Sequence, residues 1–202
     1  MKLLALTGGP GCGKTTVSGF FHRDFSWRVI DADALCHELY RNPPPSLLEA
    51  FFSRWGKDIL APSGEIDRKY LAGRVFCAGR EDLDYLNAAV HPLILEKIRT
   101  EVNSAGERER ILLDAPLLFE SGWERICDAV LAVWSSPSVQ RRRLLERGWT
   151  QEHLERRIAS QYSAEKKMEL ADFALINNGS RDWLKRQCAA IHNRFSSPDL
   201  PL

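Results

Sequence analysis

The most informative segment of this 202-residue sequence is Gly8-Gly9-Pro10-Gly11-Cys12-Gly13-Lys14-Thr15. It matches the phosphate-loop pattern G-x-x-x-x-G-K-[ST] at every required position, after an apolar stretch at residues 3–6 and before a helical pattern. Glycines let the backbone fold around a phosphate with its N–H groups pointing inward, and a helix N-terminus favours negative charge. The segment therefore predicts a strand, loop and helix that bind a nucleotide.

The residues of this loop have individual predicted roles. Lys14 reaches the β- and γ-phosphates, and the Thr15 hydroxyl ligates a Mg²⁺ ion that bridges the same phosphates. Further contacts with ATP are predicted for Gly11, Cys12, Gly13 and Thr16. Cys12 occupies a position of the pattern that tolerates small residues, so we assign its thiol no catalytic role.

Five short apolar runs alternate with helical stretches along the chain, a pattern typical of a parallel sheet wrapped by helices. The runs lie at residues 3–6, 29–30, 111–113, 129–133 and 173–176. Several end in a polar or glycine cluster, as expected where strands of an open α/β sheet meet a ligand. We expect an α/β protein with a parallel five-stranded sheet flanked by helices.

Two stretches interrupt this alternation. Residues 41–100 begin with prolines and have mostly helical patterning, so we expect a helical insertion with substrate contacts. Residues 135–170 are rich in Arg, Glu and Lys, which predicts a pair of charged helices.

The composition excludes several classes of function. With 28 basic and 27 acidic residues the formal charge is +1, so there is no global field to attract nucleic acid or an anionic membrane. No run approaches the roughly 18 apolar residues of a membrane span. The five cysteines show no CxxC pair and no zinc spacing, which favours a reducing compartment. We expect a cytoplasmic protein that binds neither nucleic acid nor membrane, and the sequence indicates no oligomeric state.

The loop is shared by several kinds of enzyme. The Asn-Lys-x-Asp segment with which GTPases read guanine is absent, which favours ATP, and the chain is short for a large ATPase. A small-molecule kinase remains, and such an enzyme needs a carboxylate for the acceptor hydroxyl. Asp31 and Asp33 follow the second apolar run, and in extended backbone they would point the same way, toward a hydroxyl and a Mg²⁺-bound water. The alternative is that Asp33 caps a helix that begins at residue 34.

A kinase also needs cations over the transferring phosphoryl group. Arg143 and Arg147 are four residues apart on one predicted helical face, so they could bind one anion together. The alternative is that the arginines form a solvated helix surface.

The sequence resembles the dephospho-CoA kinase family over nearly its whole length. Besides the loop, the resemblance rests on His91-Pro92, Pro116-Leu117-Leu118-Phe119-Glu120, Gln161, Glu165-Lys166, Ala171-Asp172 and Asn177-Asn178-Gly179, in this order. It implies ATP-dependent phosphorylation of the ribose 3′-hydroxyl of dephospho-CoA, which gives CoA and ADP in the last step of CoA synthesis. It also implies a nucleotide-binding core at residues 1–40, 101–134 and 171–202, an acceptor-binding region at 41–100 and a lid at 135–170.

The resemblance also implies roles for single residues. Asp33 would orient or deprotonate the acceptor hydroxyl, and Arg143 would be a lid arginine on the phosphates. The implied acceptor contacts are Thr7, Asp33, Arg68 and His91, and the implied contacts at the adenine edge are Asn177 and Gly179. For His91 the alternative is that it caps or ends a helix before Pro92.

Two other functions remain open. One is a P-loop kinase that acts on a nucleotide or another small metabolite. The other is an ATP-binding switch without turnover, although paired carboxylates argue against it because a switch has no acceptor to activate.

Overall fold

The computed structural model describes residues 2–196, apart from the side chains of Lys2, residues 76–78 and Ser196. Its sheet has five strands in the order β2-β3-β1-β4-β5. The strands are β1 Lys2–Gly8, β2 Arg28–Asp31, β3 Arg110–Asp114, β4 Ala129–Trp134 and β5 Phe173–Ile176. β1 is parallel to β3 and β4, and β4 is parallel to β5. Each predicted apolar run lies in one strand, so the predicted fold class is confirmed.

The helices are α1 Lys14–Phe25, α2 Ala32–Arg41, α3 Pro45–Trp55, α4 Arg68–Ala78, α5 Arg80–Asn103, α6 Pro137–Glu146, α7 Gln151–Ala159, α8 Ala164–Leu170 and α9 Arg181–Ser196. Within residues 2–196, no helix is both long and apolar enough to cross a membrane.

The chain divides into two compact units. The first is formed by the residues up to Ile30 and from Ser104 onward, and it contains the sheet apart from Asp31, the last residue of β2. The second spans Asp31–Asn103 and contains α2 to α5. The predicted division into core, acceptor region and lid is a functional one and stays a prediction. Its outer parts, Met1 and residues 197–202, lie outside the described residues.

The first unit has its core on both sides of the central strands. Leu4 and Leu6 on one face of the sheet, and Ala5 and Ala132 on the other, are fully buried, as expected for a parallel sheet covered on both faces. α1 packs against α9, and α8 packs against β4 and β1.

Side chains complete the hydrogen bonds of several strands. The Asp128 carboxylate accepts from the Leu3 N–H at 2.6 Å, and the Asp172 carboxylate accepts from the Val130 N–H at 2.8 Å. At β5, the outermost strand, the Gln187 side-chain amide accepts from the Ile176 N–H at 2.9 Å and donates to the Ile176 carbonyl at 3.0 Å. These contacts keep backbone polar groups paired where no neighbouring strand reaches them.

Residues 135–170 form three helices, so the prediction of a helical pair was wrong. Gly148, with φ at +81°, lies in the turn that separates α6 from α7. Ser163 then starts α8, because its hydroxyl accepts from the Lys166 N–H at 3.1 Å.

In the second unit, Asp82 of α5 forms hydrogen bonds with the C-terminal end of α3. Its carboxylate accepts from the indole N–H of Trp55 and from Nε of Arg54, both at 2.7 Å. The Trp55 and Arg54 hydrogen bonds lower the pKa of Asp82 below its usual value. The predicted helical character of residues 41–100 is confirmed, because α3, α4 and α5 occupy most of this stretch. Asp82 adds a buried polar contact between two of these helices.

Candidate active site

The loop between β1 and α1 has the backbone geometry of a phosphate-binding loop. Gly11 and Gly13 have φ angles of +75° and +102°, which favour glycine. A Cβ at Gly11 would lie 2.8 Å from the Gln140 carbonyl oxygen, and one at Gly13 would collide with the Asn177 amide. Gly13 is also the N-cap residue of α1, and it has no side chain with which to occupy the first N–H groups of that helix. The loop therefore offers backbone donors to an anion at a helix N-terminus.

Lys14 is the first residue of α1, and its side chain extends back toward the start of this loop. Its ammonium group donates to the Gly8 carbonyl at 2.8 Å. A phosphate group that enters the loop therefore meets a cation beside the end of β1.

Buried polar groups from two other segments support the loop. The Asn177 amide donates to the Cys12 carbonyl at 2.8 Å, and the Ser135 hydroxyl lies 3.3 Å from the same oxygen. Gln140 donates to the Ser135 carbonyl at 2.7 Å. Ser135 is fully buried and was missed by the sequence analysis, because a single serine after a strand carries no pattern.

Arg143 of α6 belongs to the same network. Its guanidinium donates to the Gly11 carbonyl at 3.2 Å, to the Ser135 hydroxyl at 3.1 Å and to the Asn177 carbonyl at 2.9 Å. Burial is the main cause that lowers the pKa of Arg143. The alternative that all the arginines form a solvated surface was therefore wrong for Arg143, although its contact with ATP stays a prediction. Arg142 and Arg147 are exposed.

The remaining predicted ATP residues lie around the loop with different exposure. Cys12 is fully buried, and burial raises the pKa of its thiol, which agrees with our giving it no catalytic role. Thr16 is half-buried, whereas Thr15 and Gly179 are exposed. Gly179 follows Asn177 in the turn after β5, near the Trp183 ring. Their contacts with a nucleotide stay predictions.

Asp114 is a further candidate, and it directly follows the apolar run at residues 111–113. It is the last residue of β3 and lies opposite Leu6 of β1 in the parallel register. The next residue, Ala115, donates its N–H to the Leu6 carbonyl at 3.0 Å. The signal was available in the sequence as an apolar run that ends in Asp, since P-loop enzymes hold Mg²⁺ with such a residue.

Thr7, at the end of β1, is fully buried. Its hydroxyl donates to the Pro116 carbonyl at 3.3 Å. The same carbonyl accepts from the ammonium group of Lys167, a buried residue that the sequence analysis did not identify. The predicted contact of Thr7 with an acceptor stays a prediction.

Asp31 and Asp33 begin the second unit, and their geometry differs from the expectation. Asp31 is the N-cap of α2, and its carboxylate accepts from the Ala34 N–H at 3.1 Å. Asp33 already lies in the first turn of α2, so the two residues do not share extended backbone and that argument was wrong. The alternative that Asp33 is the cap was also wrong. The Asp33 carboxylate is exposed.

Arg68 and His91 are the other predicted acceptor residues. Arg68 is the first residue of α4 and is exposed. Burial raises the pKa values of Cys36 and Tyr40 of α2, and the charge of Arg68 acts in the opposite direction. His91 lies inside the 24-residue helix α5, which continues beyond Pro92 to Asn103, so His91 does not end a helix. Burial lowers the pKa of the His91 imidazole, which favours its neutral form.

The chain is similar to known proteins over nearly its whole length. The family model described as dephospho-CoA kinase matches residues 2–182. Dephospho-CoA kinase of Geobacillus kaustophilus is 39% identical over 197 residues, with 96% of each chain covered. A crystal structure of a Thermus thermophilus protein superposes with a TM-score of 0.82 at 30% identity, covering 97% of this chain and 98% of the other. Dephospho-CoA kinase from Campylobacter jejuni gives a TM-score of 0.74 at 26% identity, covering 99% and 100% of the two chains. The chain belongs to the dephospho-CoA kinase family.

Proposed function

We propose that this chain transfers the γ-phosphoryl group of ATP to the ribose 3′-hydroxyl of dephospho-CoA, giving CoA and ADP. This is the final step of CoA synthesis. The observation that carries the proposal is the phosphate loop, with its left-handed Gly11 and Gly13, in a chain of the dephospho-CoA kinase family. The enzyme is thus a transferase that phosphorylates an alcohol group.

On this proposal ATP binds by its phosphates. The N–H groups of the loop and of the first turn of α1 donate to the phosphate oxygens, and Lys14 donates to the β- and γ-phosphates. Asn177 and Gly179 contact the adenine edge. The support given by Asn177 and Ser135 to the Cys12 carbonyl fixes these donors in advance, so they need little rearrangement during the reaction.

The residues present suit Mg²⁺, which prefers hard oxygen ligands together with substrate phosphates. The exposed Thr15 hydroxyl would hold it, and the Asp114 carboxylate would contact it at the carboxyl end of β3. Asp31 or Asp33 would act through water. When bound, the ion neutralises charge that develops on the phosphates.

Asp33 is the residue that acts on the acceptor hydroxyl. Its exposed carboxylate accepts a hydrogen bond from the 3′-hydroxyl, orients it and takes up its proton at a carboxylate oxygen. Thr7, Arg68 and His91 belong to the proposed acceptor site. Because Asp31 carries the helix cap, the Asp33 carboxylate is available for this role.

Arg143 stabilises the transferring phosphoryl group when residues 135–170 close as a lid. Closure also excludes water, which would otherwise compete with the ribose hydroxyl. The guanidinium would exchange part of its contact with the Gly11 and Asn177 carbonyls for phosphate oxygens.

The test is ADP formation from ATP with dephospho-CoA as acceptor, compared with adenosine, AMP and no acceptor. We expect ADP only with dephospho-CoA, in equal amount to the CoA formed. ADP formation with another acceptor would favour a different P-loop kinase. ATP binding without acceptor-dependent ADP would favour a switch. The cytoplasmic location stays a prediction.

A further inference from the structure

Lys167 of α8 is a fully buried lysine that the proposed mechanism does not use. Its side chain has 0% exposure. The ammonium group donates to the Pro116 carbonyl at 2.5 Å and to the Gln161 side-chain oxygen at 2.9 Å, and it lies 3.1 Å from the Glu120 carboxylate. An ammonium group has three N–H donors, so each has an acceptor here.

A buried charge of this kind is costly unless it is paired. Burial lowers the pKa of Lys167, whereas the Glu120 carboxylate acts in the opposite direction. The preceding residue, Lys166, shows the contrast, because it is exposed and pairs with Glu169 at 3.3 Å on the helix surface. The two lysines are adjacent on one helix, and only one of them enters the protein interior.

Two of the three partners of Lys167, Pro116 and Glu120, come from the segment that follows β3. Pro116 lies two residues after Asp114, and its carbonyl accepts from both Lys167 and the Thr7 hydroxyl. Glu120 also accepts from the Tyr162 N–H at 2.7 Å, which fastens the chain just before α8 to the same segment. Lys167 thereby joins α8 to the segment 115–120, which runs next to the end of β1.

The start of α8 also touches the phosphate loop. A Cβ built on Gly9 would lie 3.3 Å from the Ala164 Cβ, so the helix packs directly against the loop backbone. The charge of Lys14 is close enough to lower the pKa of Lys167 further. The Lys167 ammonium group thus contacts the segment 115–120, which directly follows Asp114 and accepts the Thr7 hydrogen bond. Lys167 also belongs to α8, the helix that packs against the phosphate loop.

We propose that Lys167 is a positioning residue for phosphoryl transfer. Its ammonium group holds the Pro116 carbonyl in place relative to the phosphate loop. Through this carbonyl it also positions the Thr7 hydroxyl, which donates to it, and Asp114, which lies two residues before Pro116. The inference rests on the proposed function, since it concerns the geometry of that reaction. Lys167 itself contacts neither substrate.

The experiment compares Lys167→Met with Lys166→Met and wild type. Methionine keeps the length of the side chain but cannot donate to Pro116. We expect kcat/KM for dephospho-CoA to fall about 10²-fold, the scale expected for a misplacement of about 1 Å. ATP affinity, measured by calorimetry, should change less than about threefold because the loop's own donors remain. Lys166→Met should match wild type, and Lys167→Arg should recover part of kcat/KM.

A double variant separates positioning from stability. Lys167→Met leaves the Glu120 carboxylate buried without its cation, and this lowers the unfolding midpoint. Adding Glu120→Gln removes that charge, so the midpoint should recover while kcat/KM stays low. Recovery of kcat/KM together with the midpoint would overturn the proposal and leave Lys167 a structural role only.

Other outcomes are equally decisive. A folded Lys167→Met enzyme with wild-type kcat/KM overturns the proposal. If Lys167→Met does not fold, the double variant carries the same test, with low kcat/KM expected and wild-type kcat/KM contradicting us. The wild-type acceptor assay comes first, because a wild-type chain that binds ATP without dephospho-CoA-dependent turnover contradicts the proposed function instead.

Discussion

Replacing Arg143 with alanine should affect catalysis and stability by different amounts. The guanidinium donates to the Gly11 carbonyl, the Ser135 hydroxyl and the Asn177 carbonyl at 2.9 to 3.2 Å. All three acceptors lie at the phosphate loop or in the residues that support it. The neighbouring Arg142 is exposed and lies 3.8 Å from Glu146 on the helix surface, so Arg142→Ala is a matched control.

The size of each effect follows from these contacts. Hydrogen bonds to a charged group are worth about 1.5–3 kcal/mol each, but water replaces part of them around a half-buried side chain, so we expect a loss of about 2 kcal/mol in all. For a chain of this size each kcal/mol lowers the unfolding midpoint by about 2–4 °C, which predicts a fall of about 4–8 °C. If Arg143 also stabilises the transferring phosphoryl group, kcat should fall by about 10² to 10³, equivalent to about 2.7–4.1 kcal/mol in the barrier.

Steady-state kinetics and thermal unfolding of the two variants test this reasoning. Arg142→Ala should leave both kcat and the midpoint near wild type. A lower midpoint with normal kcat would limit Arg143 to supporting the loop. Equal and small effects in both variants would refute the reasoning altogether, whereas a large effect in Arg142→Ala would mean that a different face of α6 acts on the substrate.

Lys14→Ala should weaken ATP binding and abolish most turnover, because a charge-assisted bond to phosphate is lost, and near-normal turnover would contradict the loop assignment. Asp33→Asn should retain ATP binding by calorimetry and unfold normally while kcat falls about 10²-fold or more, and an active variant would shift attention to Asp31 or Asp114. A pH series of unfolding midpoints tests His192, whose Nδ1 accepts from the Trp27 indole N–H at 3.0 Å. Burial, and secondarily the charge of Arg110, lower the pKa of His192, so the unfolded chain binds more protons and stability falls as the pH drops below about 6.5. His192→Gln, which does not titrate, should show a shallower loss, and an unchanged slope would exclude His192 as its source.

The sheet and the loop could be predicted because their signals are local. The residues proposed to bind phosphate, such as Lys14 and Thr15, are adjacent in the sequence, and each strand contains a short apolar run. The support of the loop could not be predicted in this way. Asn177 reaches the Cys12 carbonyl across 165 residues, and no pattern in either segment indicates the other.

A second limit on the prediction is that the sequence pattern does not show which polar residues are buried. Lys166 and Lys167 differ in the sequence only by one position, yet one is a surface residue and the other has three interior acceptors. The start of α2 shows a third limit, since a shift of two residues in the helix start placed Asp33 inside the helix and gave the cap to Asp31. Helix boundaries read from a sequence carry an error of this size, and here it decided which carboxylate is available for chemistry.

The side chain of Gln187 has a consequence for the protein's behaviour at high concentration. The outermost strand of a sheet exposes a row of backbone groups onto which a strand from another molecule can add, a common start of aggregation. The amide of Gln187 pairs with both the N–H and the carbonyl of Ile176, as a residue of an additional strand would. It thereby blocks strand addition at Ile176, whose exposed apolar side chain would otherwise favour such an association.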